Sequence, residues 1–169
     1  VLEGDESFVI WTTTPWTIPA NNAISLHPDF TYAVVKTEKG KFIVLETLAA
    51  KLMEKFGLAD YEIVKCDKGI ELEMITCYHP LFEERESLII CGTHVTDEDG
   101  TGCVHTAPGH GLDDFYVGSK YGLPAYCPVD EKGCMMESEG PELAGLFVED
   151  ATKKVITMIN EKGSFLCVE

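Results

Sequence analysis

The chain has 169 residues, the length of one domain, and its 45% apolar content is that of a globular protein, which excludes general disorder. Thirteen Lys and Arg against 29 Asp and Glu give a net charge of −16, and Arg85 is the only arginine. A self-sufficient nucleic-acid binder needs clustered basic groups and is therefore excluded, and no apolar run is long enough to span a membrane.

The first residues, VLEGDESFVIW, lack the order of a signal peptide. Seven cysteines, an odd number with no C-x-x-C pair, predict reduced thiols and a cytoplasmic chain. Residues 7–13 are β-branched and aromatic and predict a strand. Pro15 and Pro19 then predict a loop over 14–22. Residues 31–37 and 41–46 flank Glu38, Lys39 and Gly40, the pattern of a hairpin. Leu48, Leu52 and Phe56 recur at helical spacing before Gly57, predicting a short helix over 46–56. Short strands are expected at 61–66, 69–76, 87–95 and 101–106. Asp113 is expected to cap a helix over 114–121 that Gly122 ends. The Gly-, Pro- and acid-rich stretch 122–145 reads as irregular. Ala151, Val155, Met158 and Ile159 mark a second amphipathic helix stopped by Gly163, and 164–168 reads as a last strand. The whole, residues 1–169, reads as one mainly β domain with short helices, in a barrel or strongly curved sheet. The chain starts close to one strand and stops in another, which predicts a domain cut from a longer protein.

Two segments carry chemistry. In the first, Thr12, Thr13 and Thr14 cluster hydroxyls at a strand end, Pro15 restricts the exit, Trp16 follows, and Asn21 adds an amide. Hydroxyls at a rigid junction can hold a water or a polar substrate group. In the second, GTGCVHTAPGHGLDDF, a glycine-bounded strand delivers His105 to its end, a Gly- and Pro-shaped loop turns, and a helix begins near Asp113. It is not a phosphate-binding P-loop. Asp113 and Asp114 sit where the helix dipole favours charge, so one can cap while the other offers a carboxylate to a substrate ammonium. His105 can be a base, a ligand, a wall or a core residue. His110, between glycines, is expected in solvent. With no nucleophile elbow, hydrolysis here would use a positioned water.

Together WTTTPWTIPAN and GTGCVHTAPGHGLDDF, which start about 90 residues apart, resemble the inserted editing domain of bacterial-type isoleucyl-tRNA synthetases, in the class I synthetase family. The related valyl and leucyl enzymes share the Thr-Thr start but carry Arg-Pro after it, where this chain has Thr14-Pro15-Trp16. The resemblance implies a β-barrel editing domain without the ATP-dependent synthetic site. It would hydrolyse valine from mischarged tRNA(Ile) and exclude isoleucine by size, with no cofactor. Its partners would be the 3′ end of that tRNA and the remaining domains of the parent synthetase, with no membrane. By the same resemblance Asp114 binds the substrate's α-amino group and His105 helps reject isoleucine. Thr12, Thr13, Thr14 and Trp16 line the site and hold the ester end. Thr14 and Asn21 are linked to the hydrolytic water.

Two other readings remain from the residues themselves. One is a zinc hydrolase using Cys91, His94, Cys103 and His105, ligand types that zinc accepts but that half-buried strand residues explain more simply. The other is a non-catalytic module that holds aminoacyl ends.

Overall fold

The computed structural model describes residues 3–168. Contacts divide the chain into two compact units. The first holds the chain up to Trp11, Ile24–Ile75 and Ile89–His105, and the second holds Thr12–Ala23, Thr76–Leu88 and the residues from Thr106 onward. Neither unit is one continuous stretch of chain.

The first unit is built on the four-stranded sheet β1-β4-β3-β5, where β1 is Glu6–Phe8, β3 Thr31–Thr37, β4 Gly40–Leu45 and β5 Tyr61–Lys68. β3 and β4 form the expected hairpin, pairing Val34 with Ile43 and Thr37 with Gly40. The left-handed φ of 128° at Gly40 makes the turn, and Thr37 Oγ1 accepts from Lys39 N–H across it. β3 sits inside the sheet, so four of its residues in a row, Tyr32 to Val35, are buried. Its pairing with β5 slips between Val34 and Val35, leaving an extra residue in β5. α1 (Ala49–Lys55) supplies Leu52 and Met53 to the core with Ile43, Val44, Leu45, Ile89 and Ile90. The backbone at Gly102 approaches so closely that an added Cβ would lie 2.5 Å from Leu45 Cβ, at a φ of 78°. The buried Tyr32 hydroxyl donates to the Gly102 carbonyl at 2.6 Å.

A second sheet has the order β6-β7-β2-β8, from β2 (Ala23–Leu26), β6 (Thr76–Tyr78), β7 (Glu86–Cys91) and β8 (Val104–Thr106). Among the described residues β1, β5 and β6 end their sheets, β8 carries one further bridge from Val104 to Trp11, and no closed barrel is shown.

The second unit is loop-rich. Its core is Ile18, Leu81, Met135, Leu143, Ala151 and Val155, with Trp16 and Phe82 packed against it. α3 (Val148–Glu161) presents Ala151 and Val155 to that core. It ends at Gly163 (φ 71°), where Gly163 N–H bonds Asn160 O and Ser164 N–H bonds Ile159 O.

Several expected elements differ. The strand over 7–13 stops at Phe8, with Trp11 keeping one isolated bridge to Val104. The loop over 14–22 is largely a six-residue 3₁₀ helix, Pro15–Ala20, followed by the unforeseen β2. Residues 69–76 start as a 3₁₀ turn, Gly69–Leu72, because the Gly69 and Ile70 N–H groups bond to Phe30 and Pro28 carbonyls rather than to a strand. No strand forms over 164–168. α2 runs Leu112–Lys120 and Gly111, not Asp113, stands at its N-cap.

Candidate functional site

Thr12, Thr13, Thr14, Trp16, Asn21 and Asp114 all fall in the second unit. Thr14 N–H donates to Thr12 Oγ1 at 3.0 Å, folding the run back on itself, and the two hydroxyl oxygens lie 3.4 Å apart. The Thr14 carbonyl accepts from both Thr17 N–H (3.0 Å) and Thr17 Oγ1 (2.8 Å), which starts the 3₁₀ helix. Pro15 at its first position has no N–H to lose there. Thr13 and Thr14 are exposed, while Thr12 and Trp16 are half-buried. Asn21 is buried, with its N–H on Ile18 O at 2.9 Å and its side-chain Nδ2 on Ala23 O at 3.0 Å.

The second segment meets the first through the backbone. Asn22 N–H donates to Thr106 O at 3.1 Å, one residue past Asn21. Trp16 and His110 meet edge-on with ring centroids 5.1 Å apart. Between these two contacts the 106–111 loop is shaped by its own residues. His110 N–H bonds Ala107 O at 2.9 Å, and at Gly109 an added Cβ would lie 2.1 Å from Tyr126 O, so only glycine fits.

Asp114, in the first turn of α2, is half-buried. Its Oδ2 accepts from Ala107 N–H at 2.9 Å, so the side chain reaches back to the loop that precedes its own helix. One oxygen is thereby oriented, and the carboxylate retains a second for a ligand cation. Asp113 is exposed. The division of labour between the two aspartates thus differs from the expected cap and pocket pair.

His105 is the last residue of the first unit, in β8, and is 9% exposed. The four side chains of the zinc reading do not gather. The one group of three or more metal-type ligand atoms among the described residues is Glu3, Asp5 and Glu6, whose neighbour Lys41 pairs with Glu3 and Asp5. Cys91 Sγ instead faces Gly69 O at 3.7 Å and Cys103 Sγ faces Ile43 O at 3.7 Å. The zinc alternative is therefore set aside on geometry.

Three side chains beside the site were not foreseen. His110 is half-buried rather than in solvent, its Nε2 is buried without a hydrogen-bond partner, and its Nδ1 lies 4.0 Å from Cys127 Sγ. Burial holds the His110 pKa below the usual histidine range, with the Asp114 charge opposing. Behind the 3₁₀ helix, His79 Nε2 donates to Ile18 O at 3.1 Å and Arg85 Nη1 donates to Pro19 O at 3.0 Å. In the sequence, the only signals were the glycines flanking His110 and the singularity of Arg85.

No family model matches the chain. It is 55% identical over 166 residues to an isoleucine–tRNA ligase of Geobacillus kaustophilus, covering 98% of this chain and 18% of that protein. It is 50% identical over 169 residues to that of Bacillus subtilis, covering 100% of this chain and 18% of that protein. The chain thus spans less than a fifth of the length of these relatives. Among solved structures, GlLeuRS-CP1 superposes with a TM-score of 0.76 at 18% identity, over 99% of this chain and 85% of that one. The P. knowlesi cytosolic leucyl-tRNA synthetase editing domain gives 0.75 at 16% identity, over 97% and 84%. At these identities the likeness is one of fold.

Proposed function

Because the chain belongs to the isoleucyl-tRNA synthetase family and has the fold of a class I synthetase editing domain, we propose that it removes valine from mischarged tRNA(Ile). A synthetic site built for isoleucine gains only about 1–3 kcal/mol from one methylene, a limit for which the isoleucyl enzyme is itself the standard illustration. A second site that excludes by overlap filters more steeply, because packed interiors barely yield. The reaction is hydrolysis of the aminoacyl ester: water attacks the carbonyl carbon, the bond to the ribose oxygen breaks, and that oxygen takes up a proton.

Asp114 receives the α-ammonium. Thr14 and Asn21 position the water and the carbonyl. Thr12, Thr13 and Trp16 shape the place of the ester end, and His105 turns isoleucine away. The observation that supports this reading is the joining of the two segments. Asn22 N–H on Thr106 O and the Trp16–His110 contact bring the threonine run beside the loop whose Ala107 N–H orients Asp114. A net charge of −16 leaves the tRNA backbone to be held by the rest of the ligase.

The test is deacylation of valyl- and isoleucyl-tRNA(Ile) by the full-length ligase. The valyl ester is cleaved and the isoleucyl ester is spared. Asp114→Asn keeps an acceptor for Ala107 N–H and removes the charge, so valyl cleavage weakens by about 2–5 kcal/mol of transition-state binding while the fold persists. Undiminished cleavage in that variant removes the anchor role, and binding of the valyl ester without turnover makes the domain a holding module.

A further inference from the structure

We propose that Arg85 and His79 are positioning residues that clamp the carbonyl end of the Pro15–Ala20 3₁₀ helix and so set the orientation of Trp16 and Asn21. The proposal rests on the hydrolytic reading for its consequence in activity but not for its geometry.

A six-residue 3₁₀ helix is long for its kind, since its hydrogen bonds are poorly aligned. Pro19 inside it contributes no N–H. The Asn21 N–H already caps Ile18 O, and the last carbonyls take further donors from outside the helix that hold its direction. Two side chains supply them. His79 is 5% exposed, and its Nδ1 accepts from both Leu81 N–H (3.0 Å) and Phe82 N–H (3.1 Å). The proton is therefore on Nε2, which donates to Ile18 O. Arg85 donates from Nη1 to Pro19 O and, with both Nη1 and Nη2, to the two carboxylate oxygens of Glu139 at 3.2 and 3.4 Å.

The Glu139 side chain is fully buried, and it accepts further from the Tyr126 hydroxyl and from Ser138 Oγ. The guanidinium also lies 4.3 Å from the Phe82 ring centroid. Glu139 thus fixes Arg85, and Arg85 fixes Pro19. The Glu139 carboxylate is fully buried and the Arg85 side chain half-buried, and an ion pair that takes a carboxylate out of water contributes little net stability compared with apolar side chains of the same volume, so direction explains it better than stability. A lysine in place of Arg85 could pair with Glu139 but lacks the planar fork that meets the carboxylate and the carbonyl together.

Two variants of the full-length ligase test this. Arg85→Lys keeps the charge. The double replacement Arg85→Met with Glu139→Leu removes both ionic partners and leaves no unpaired buried charge. Hydrogen exchange is measured at residues 17–22 and at 151–161 of α3, alongside valyl-tRNA deacylation. In both variants exchange at 17–22 speeds up by roughly tenfold or more while α3 is unchanged. In both, kcat falls by roughly 10- to 100-fold with KM nearly constant, the mark of misplaced reacting groups. Unchanged exchange at 17–22, exchange that rises equally in α3, or an undiminished kcat per folded molecule overturns the proposal. If the unmodified ligase releases no valine, the hydrolytic reading fails, and the exchange result alone decides the clamp.

Discussion

His79 illustrates how much a single atom carries at the residue scale. Its Nδ1 accepts two backbone N–H groups, so the imidazole is held neutral. Burial first, and the Arg85 charge second, push its pKa down to about 4, against the opposing hydrogen bond to Ile18 O and the charges of Glu139 and Glu84. In the unfolded chain it titrates near 6.5, so between about pH 6.5 and 4 the unfolded state binds the extra proton. The stability held by neutral His79 is complete above that window and falls as the pH drops through it, by about 3 kcal/mol in all. Urea midpoints followed from neutral pH to about pH 4 should show this decline, and His79→Gln, which accepts and donates without titrating, should flatten it. A slope shared by both proteins would place the acid sensitivity elsewhere. The roles of His79 and Arg85 were not legible in the sequence, because their partners are the Ile18 and Pro19 carbonyls, some sixty residues away. Asp114 was singled out as one of a pair, but only the structure shows that it bonds Ala107 N–H while Gly111 takes the cap.

Among the elements, those with a strong local pattern were legible. The hairpin of β3 and β4 followed from two apolar runs and one glycine, and α3 from Ala151, Val155, Met158 and Ile159. Both are local patterns, one of two continuous apolar runs about a glycine turn and one of period near 3.6, that tertiary contacts reinforce. The misread elements share a different cause. Residues 69–72 have strand-like composition, but Gly69 must pass within van der Waals reach of His27 O, where an added Cβ would lie at 2.1 Å, and the chain turns there instead. Residues 9–11 look like strand, yet the Val9 N–H bonds Ile43 O while Trp11 keeps only a bridge. The importance of α3 can be measured directly. Val155 is fully buried against Ile18 and Leu143, so Val155→Ala should cost about 2 kcal/mol from lost burial and the cavity left behind. Denaturant unfolding checks this, and a cost below a few tenths would mean that α3 collapses onto the gap.

For the whole molecule the dominant quantity is charge. A net −16 on 169 residues repels itself in the compact state, and salt screens that repulsion. Raising the salt from about 0.01 M to about 0.15 M shortens the screening length from about 30 Å to about 8 Å, so thermal unfolding should move up by a few degrees. A melting temperature indifferent to salt would show that the acidic groups are already locally paired. No helix among the described residues is long and apolar enough to cross a membrane. Composition, charge, the hairpin, the helix periods and the two motifs with their family resemblance were determined by the sequence alone, because each is a local or additive property of the chain. Only the tertiary structure decided that the described strands fall into two four-stranded sheets, that the four cysteine and histidine side chains of the zinc reading do not converge, and that the Pro15–Ala20 helix is held from behind by His79 and Arg85. These depend on which distant groups meet, and that is set by hydrogen bonds that must be satisfied and volumes that must be filled, not by the order of neighbouring residues.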